Sequence, residues 1–353
     1  MPSSNDLSAE AGTAPAGINA AQVTTWLADR VPTLAPPLRF ELITGGHSNL
    51  TYCVTDTSGQ RWVLRRPPLG QVLATAHDMG REHRIISALA PTDVPVAPVV
   101  GLCSDDAVNG APFYVMDFVD GVIIRDSSDA NLFTPAQRSR AGESLIEVLA
   151  RIHAVDPTTV GLGDLARHDG YIERQLKRWH RQFEASRTRD LPIMEEVHAQ
   201  LCDLVPVQGP AAIVHGDYRL DNCMLGNSGE VVAVLDWELC TLGDPLADLG
   251  LLLVYWTDPG EPGALSVTPA SGAAGFPTKA ELLSRYTELT GRDTSAIDFY
   301  VAFGYWKLAC ILEGVFSRYS GGAMGDRNSQ EFSGFGDTVQ LLAEAAQAAA
   351  ARV

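Results

Sequence analysis

The spacing of apolar positions along this chain changes several times, and each change marks an element. Over NAAQVTTWLADRV (19–31), Val23, Trp26, Leu27 and Val31 fall roughly on one side of a helix. Pro32, Pro36 and Pro37 then stop it. From Leu38 the period shortens: RFELIT, NLTYCVT and QRWVLRR read as three strands, joined by GGHS and by DTSG. HDMGREHRIISALA (77–90) returns to helical spacing, with Glu82, Ile86 and Leu89 on one face. Two further strand-like runs follow, VVGLCS and PFYVMDFVDG.

Beyond residue 121 the pattern is mainly helical. PAQRSRAGESLIEVLARIHAVDP (135–157), YIERQLKRWHRQFEAS (171–186) and IMEEVHAQLCDLV (193–205) predict three helices, and two apolar strands, IVHGD and VVAVLDW, come after them. TDPGEPGALSVTPASGAAGFP (257–277), rich in Gly, Pro, Ser and Ala, predicts a mobile surface loop. Helices resume with KAELLSRYTELTG, IDFYVAFGYWKLACILEGVFSRYS and an alanine-rich C-terminus, and no internal repeat is visible. The fold class is α+β: a flexible tail (1–17), an N-lobe of antiparallel strands with one helix (18–118), and a mainly helical C-lobe (119–353).

Composition supports the division. A chain of 353 residues exceeds what one core usually serves, which is roughly 250–300. A net charge of −17 argues against coating nucleic acid, which calls for a basic face. The six cysteines (53, 103, 202, 223, 240, 310) are scattered, which predicts reduced thiols in a cytoplasmic protein over disulfides or a structural zinc. The N-terminus has neither a basic start nor an apolar core, so no signal peptide is expected. No uninterrupted apolar run approaches the roughly 20 residues of a membrane span; LGLLLVYW (249–256) is the longest.

The chemistry concentrates in HGDYRLDN (215–222) and LDWE (235–238). An Asp at a strand end, here Asp217, can accept the proton of an attacking hydroxyl, and an Asn five residues on, Asn222, can turn back to hold a divalent cation. A second carboxylate, Asp236, stands at the end of the next apolar run, and this hard oxygen set suits Mg2+. HGDYRLDN alone has a chance turn as an even rival; VVAVLDWE downstream makes chance a poor account.

These motifs, together with GGHSNLTY, WVLRRP, REHRIISAL, FYVMDFVDG and VLDWELCTLGDPLADLG, resemble the aminoglycoside phosphotransferase and choline kinase superfamily over about residues 38–320. YIERQLKRW and VLRRPP further resemble the kinase-like domain associated with acyl-CoA dehydrogenases. The resemblance implies the two-lobed protein-kinase-like fold and an ATP- and Mg2+-dependent transfer of the γ-phosphate to a hydroxyl of a small molecule. It implies Asp217 as catalytic base and Asn222 and Asp236 as metal ligands, with His215 bracing the loop and Asp248 supporting it from below.

For ATP the resemblance implies a phosphate-covering loop of Gly45, Gly46, Ser48 and Asn49. The backbone C=O of Asp117 and N–H of Val119 would face the adenine edge, with Met116 behind. Arg65 aligns with the family's phosphate-binding lysine and would pair with Glu82. This is a departure, since a planar guanidinium does not replace a point-charge ammonium geometrically. Read apart from the other motifs, Arg65 and Glu82 make a surface ion pair.

In GDPLADLG, Asp244 reads as an N-cap with Pro245 in the first helical position. Arg174, Lys177, Arg178 and Arg181 form a basic stripe, read first as a solvated face and second as a dock for the phosphates of a CoA thioester. Trp179, Tyr255, Trp256, Tyr305 and Trp306 read as core for the most part. Asp-Trp-Glu in place of Asp-Phe-Gly, with no Ala-Pro-Glu after it, argues against a protein substrate. The acceptor stays open between a hydroxyacyl-CoA and an aminoglycoside, and a non-catalytic nucleotide-binding module is the rival of another class.

Overall fold

A computed structural model of the chain describes residues 14–43, 49–69, 78–260, 269–320 and 329–353. It divides into two compact units, residues 1–90 with 97–119 and residues 91–96 with 120–353.

The first unit is built on an antiparallel sheet of order β1-β2-β3-β5-β4. Its strands are β1 (Arg39–Leu42), β2 (Leu50–Thr55), β3 (Arg61–Arg66), β4 (Val99–Cys103) and β5 (Phe113–Asp117). Three helices accompany them: α1 (Ala20–Ala28), α2 (Met79–Leu89) and the single turn α3 (Asp106–Asn109). Asn19 and Asp78 cap α1 and α2 by accepting from Gln22 N and Arg81 N. The apolar side of α1, Val23, Trp26 and Leu27, packs on Phe40, Tyr52, Val54, Trp62, Leu64, Phe113 and Val115. Alternation fails on β3, where Trp62, Val63, Leu64 and Arg66 are all buried. Arg66 bonds the carbonyls of Gly17 and Asn109, and Tyr52 donates to Ala16 O at 2.7 Å, so the described start of the chain is tied to this sheet.

The second unit holds two small antiparallel sheets and most of the helices. One sheet pairs β7 (Ala212–Val214) with β10 (Thr241–Gly243); the other runs β6-β8-β9, from Val122–Ile123, Cys223–Leu225 and Val231–Val234. The helices are α4 (Ser127–Ala130), α5 (Pro135–Ala154), α6 (Tyr171–Ser186), α7 (Pro192–Asp203), α8 (Leu246–Tyr255), α9 (Lys279–Thr290), α10 (Ile297–Ser320) and α11 (Ser329–Ala350). Capping boxes, Thr134 with Gln137 and Thr278 with Glu281, start α5 and α9. The predicted strands IVHGD and VVAVLDW are shorter than expected and end at Val214 and Val234. The α8 helix begins at Leu246 with Pro245 at the cap position, one residue later than expected, so Asp244 precedes the cap; its carboxylate accepts from Leu246 N at 3.1 Å and from Tyr300 OH at 2.7 Å.

Two expectations need correcting. The described parts of 257–277 are packed, and do not form a surface loop: Ala270, Ser271 and Phe276 are buried, and Ser271 Oγ bonds both backbone groups of Thr257. Small residues permit this approach, since a Cβ on Gly142 would stand 2.3 Å from Pro277 and one on Gly275 would stand 2.6 Å from Pro135. Secondly, among the described residues one helix, Ile297–Arg318, is long and apolar enough to cross a membrane, but 67% of that stretch is buried inside the unit. Asp298, Lys307 and Glu313 hide it from a search for an unbroken run. Its buried acid, Glu313, accepts from Thr188 N and Oγ1 on Oε1 at 2.9 and 2.8 Å, while Oε2 lies 3.4 Å from Arg189 Nη2 in an ion pair. Trp179, Tyr255, Trp256 and Trp306 are buried core residues and Tyr305 is half-buried.

Candidate active site

The loop after β7 is shaped by its own residues. Gly216 adopts φ +87, and a Cβ there would lie 2.8 Å from Leu239 O, so this position requires glycine on two counts. Asp248, 1% exposed in the first turn of α8, accepts from the backbone N–H of both His215 (2.6 Å) and Gly216 (2.8 Å). The Asp248 Oδ2 that accepts from His215 N also contacts His153 Nε2 at 3.3 Å, and His153 Nδ1 meets Tyr286 OH at 2.7 Å. Buried Lys307 of α10 donates to Gly216 O at 2.8 Å. Both faces of the His215–Gly216 backbone are therefore held from beneath.

His215 ties this loop to the next strand. Its Nε2–H donates to Leu235 O at 2.9 Å, which leaves Nδ1 to accept from Asp217 N at 3.3 Å. Asn222 closes a short 3-10 turn (Leu220–Asn222), and its Nδ2 donates to Asp217 O (2.8 Å) and Asp217 Oδ2 (3.0 Å). With both amide protons turned to Asp217, the Asn222 carbonyl oxygen is the atom left to a cation. Asn222 O accepts from Leu235 N at 2.8 Å, which registers the Asn222 turn against the residue before Asp236. Asp236 sits at φ +66, the one non-glycine positive φ among the described residues. That conformation costs about 1–2 kcal/mol at a non-glycine residue.

Arg219 collects these acids. Its guanidinium lies 3.3 Å from Asp217 and 2.9 Å from Asp221, over the ring of Tyr255. Burial would depress the guanidinium, but Asp217, then Tyr255, Asp221 and Asp236, outweigh burial and hold it above its ordinary value. Burial pushes the Asp221 carboxyl up against the pull of Arg219, and its Oδ1 has no hydrogen-bond partner. Asp248 behaves oppositely: burial would raise it, yet His153 and the loop amides win and keep it below the carboxylate range. Burial lowers both His153 and Lys307. The structure thus brings together Asp217, Asn222, His215, Asp248 and, through Leu235 and Arg219, Asp236. Asp217, Asn222 and Asp236 offer oxygen donors only, a set that fits a hard divalent cation, and the neighbouring Asp221 keeps one buried oxygen without a hydrogen-bond partner.

In the first unit, Arg65 Nε bonds Glu82 Oε2 at 3.1 Å, with side chains 15% and 2% exposed. Glu82 is therefore buried and Arg65 half-buried, contrary to the surface reading: Glu82 shares its helix face with Ile86 and Leu89 and must turn inward with them. Asn49 is buried just before β2, while Gly45, Gly46 and Ser48 lie outside the described residues. Met116, Asp117 and Val119 are half-buried at the end of β5. Burial raises the Asp117 carboxyl. Asp117 N donates to Pro98 O at 2.8 Å and Phe118 N to Arg61 O at 3.3 Å, so the backbone is held as far as Phe118 as the chain leaves β5.

Sequence reasoning missed Lys307, His153, Arg219 and Asp221. The first two had a signal: each is a lone titratable group on the apolar side of a helix, in YWKLAC and in LARIHAV. The latter two looked like ordinary turn residues. The basic stripe is thinner than its sequence, because Arg174 is spent on the carbonyls of Asp169 and Arg167; Lys177, Arg178 and Arg181 are exposed.

Comparison with known proteins places this arrangement. The model of the phosphotransferase enzyme family matches residues 39–282. Mouse acyl-CoA dehydrogenase family member 10 is 36% identical over 304 residues, covering 84% of this chain and 28% of that protein. Chicken acyl-CoA dehydrogenase family member 11 is 38% identical over 295 residues, covering 82% and 38%. The chain thus spans well under half the length of these relatives. A crystal structure from Ralstonia eutropha, described as a candidate aminoglycoside phosphotransferase, is 34% identical with a TM-score of 0.80, covering 94% of this chain and 98% of that one. With a family model across most of its length and that fold over nearly all of it, the chain belongs to the phosphotransferase enzyme family, and is a phosphotransferase of the α+β, protein-kinase-like class.

Proposed function

We propose that this enzyme transfers the γ-phosphoryl group of ATP to a hydroxyl of a small molecule, with Asp217 as the base. The observation that carries the reading is the Asp217–Asn222 bond, which holds the carboxylate in place and turns the amide oxygen outward. The acceptor hydroxyl gives its proton to Asp217 as its oxygen bonds to the γ-phosphorus and the bond to the ADP oxygen breaks. Asn222 and Asp236 would hold Mg2+, which when bound neutralises charge on the phosphates. Arg65, fixed by Glu82, and the 45–49 loop would serve the phosphates, and the 116–119 backbone the adenine.

For the acceptor we favour a hydroxyacyl-CoA. The names of the mammalian and avian relatives support it, and the exposed cations Lys177, Arg178 and Arg181 suit a polyphosphate. The name of the Ralstonia structure supports an aminoglycoside as the second reading. The six cysteines, none paired, suit a cytoplasmic setting.

The test is turnover of Mg-ATP against panels of hydroxyacyl-CoAs and aminoglycosides. Phosphorylation of the first panel is expected; activity on aminoglycosides alone would end the acyl-CoA version. Asp217→Asn is expected to cut kcat by about 10²–10⁴-fold with ATP binding retained. If the wild type and this variant bind ATP equally and neither turns anything over, the non-catalytic module is the better account.

A further inference from the structure

We propose that His180, Glu195 and His198 form a divalent transition-metal site, suited to Zn2+, that clamps α6 to α7. It is separate from the phosphate-transfer residues. His180 is on α6, while Glu195 and His198 are three apart on α7 and so share a face. One donor atom from each can be chosen so that all three lie within 4.8 Å of one another. Tetrahedral zinc with bonds of about 2.0–2.1 Å needs donors roughly 3.4 Å apart, so closure takes about an ångström. Half-buried side chains can supply that by rotating, and the same rotation must take the two imidazole rings out of their parallel stack so that their in-plane lone pairs converge.

The arrangement has a bland explanation, a surface ion pair beside a ring stack. His180 Nε2 does meet Glu195 Oε2 at 2.8 Å, and the rings of His180 and His198 stack at 4.0 Å and 10°. What this leaves unexplained is Glu195 Oε1, which is buried and has no hydrogen-bond partner. Glu184 reaches the same carboxylate but carries no N–H to donate to that oxygen. Cys202, one helical turn beyond His198, holds Sγ 3.5 Å from His198 Nε2 but stands outside the three-donor cluster. Two imidazoles and a carboxylate are zinc-type donors and contrast with the all-oxygen set around Asp217. The scattered cysteines gave no hint of this in the sequence, because the donors come from two helices.

The experiment is calorimetric titration of the chelator-treated full chain with zinc chloride, in excess Mg2+ so that the oxygen site is filled. One zinc per chain is expected. The double variant His180→Gln/His198→Gln is expected to lose affinity by more than the roughly 10–100-fold that loss of a supporting partner costs. Asp236→Asn is expected to bind zinc unchanged. Binding that survives the double histidine change, or that Asp236→Asn abolishes, overturns the proposal. Should the histidine variant fail to fold, wild type still decides the matter. His198 stacks on Trp306 with centroids 5.2 Å apart, so stoichiometric Ni2+ should quench tryptophan emission and chelator should restore it. No quenching counts against the site.

Discussion

Lys307 shows how one side chain can matter without touching a reacting atom. It is 7% exposed, stands 5.5 Å from the ring of Trp179, and donates to Gly216 O, one residue before Asp217. Burial penalises its charge, and the nearby carboxylates of Asp217 and Asp248 offset that penalty. Lys307→Met removes a costly buried charge but leaves a carbonyl unpaired, a loss of about 1–3 kcal/mol. The two effects oppose each other in stability and add in loop position. We therefore expect kcat to fall about tenfold or more, since 1.36 kcal/mol is a factor of ten, with the thermal midpoint little moved. Steady-state kinetics beside a melting curve checks this; unchanged kcat would make Lys307 a filler residue.

At the scale of elements, the second unit depends on close approaches between backbone segments. Helix α5 meets the segment after α8 at Gly142, where any Cβ would overlap the Pro277 ring. Trp256 spans the same contact, donating from Nε1 to Pro277 O at 2.8 Å and packing edge-on against Phe276. In an isolated helix Gly142→Ala would be favourable by about 1 kcal/mol. Here overpacking of about 1–3 kcal/mol opposes it. The expected outcome is net destabilisation, read as a lower urea midpoint; a raised midpoint would show that Pro277 moves aside freely.

For the molecule as a whole, pH ought to act mainly through buried histidines. His153, His198 and His83 are all held below the ordinary value by burial. The unfolded chain therefore binds more protons than the folded one as pH drops below about 6.5, and stability falls with pH in that window. Asp248 adds a second, lower window: its folded value is depressed, so its contribution is present above about 3.9 and is lost as pH falls through the folded value. Urea midpoints measured in chelator should drop between pH 7.5 and 5.5, and His153→Gln should flatten that slope. A midpoint constant across the interval would contradict the assignment.

The residues themselves determined a good deal. Periodicity placed α1, α2, α5, α6, α7 and α9 because each buries one apolar stripe, which a 3.6-residue repeat announces. HGDYRLDN and LDWE announced phosphoryl-transfer chemistry because few residue types can take a proton and hold a hard cation. Strands of three residues, such as β8 and β10, carry no readable alternation, so folding alone revealed them. Tertiary structure also decided which charges go inside. The sequence shows Arg65 and Arg66 as neighbours and Lys307 as a stray cation; contacts with Glu82, Gly17 and Gly216 give each a different task. Only the folded chain could bring His180, on one helix, to Glu195 and His198 on the next. A linear pattern encodes which face of an element is apolar; which elements meet, and hence which polar groups find partners, depends on packing across the whole chain.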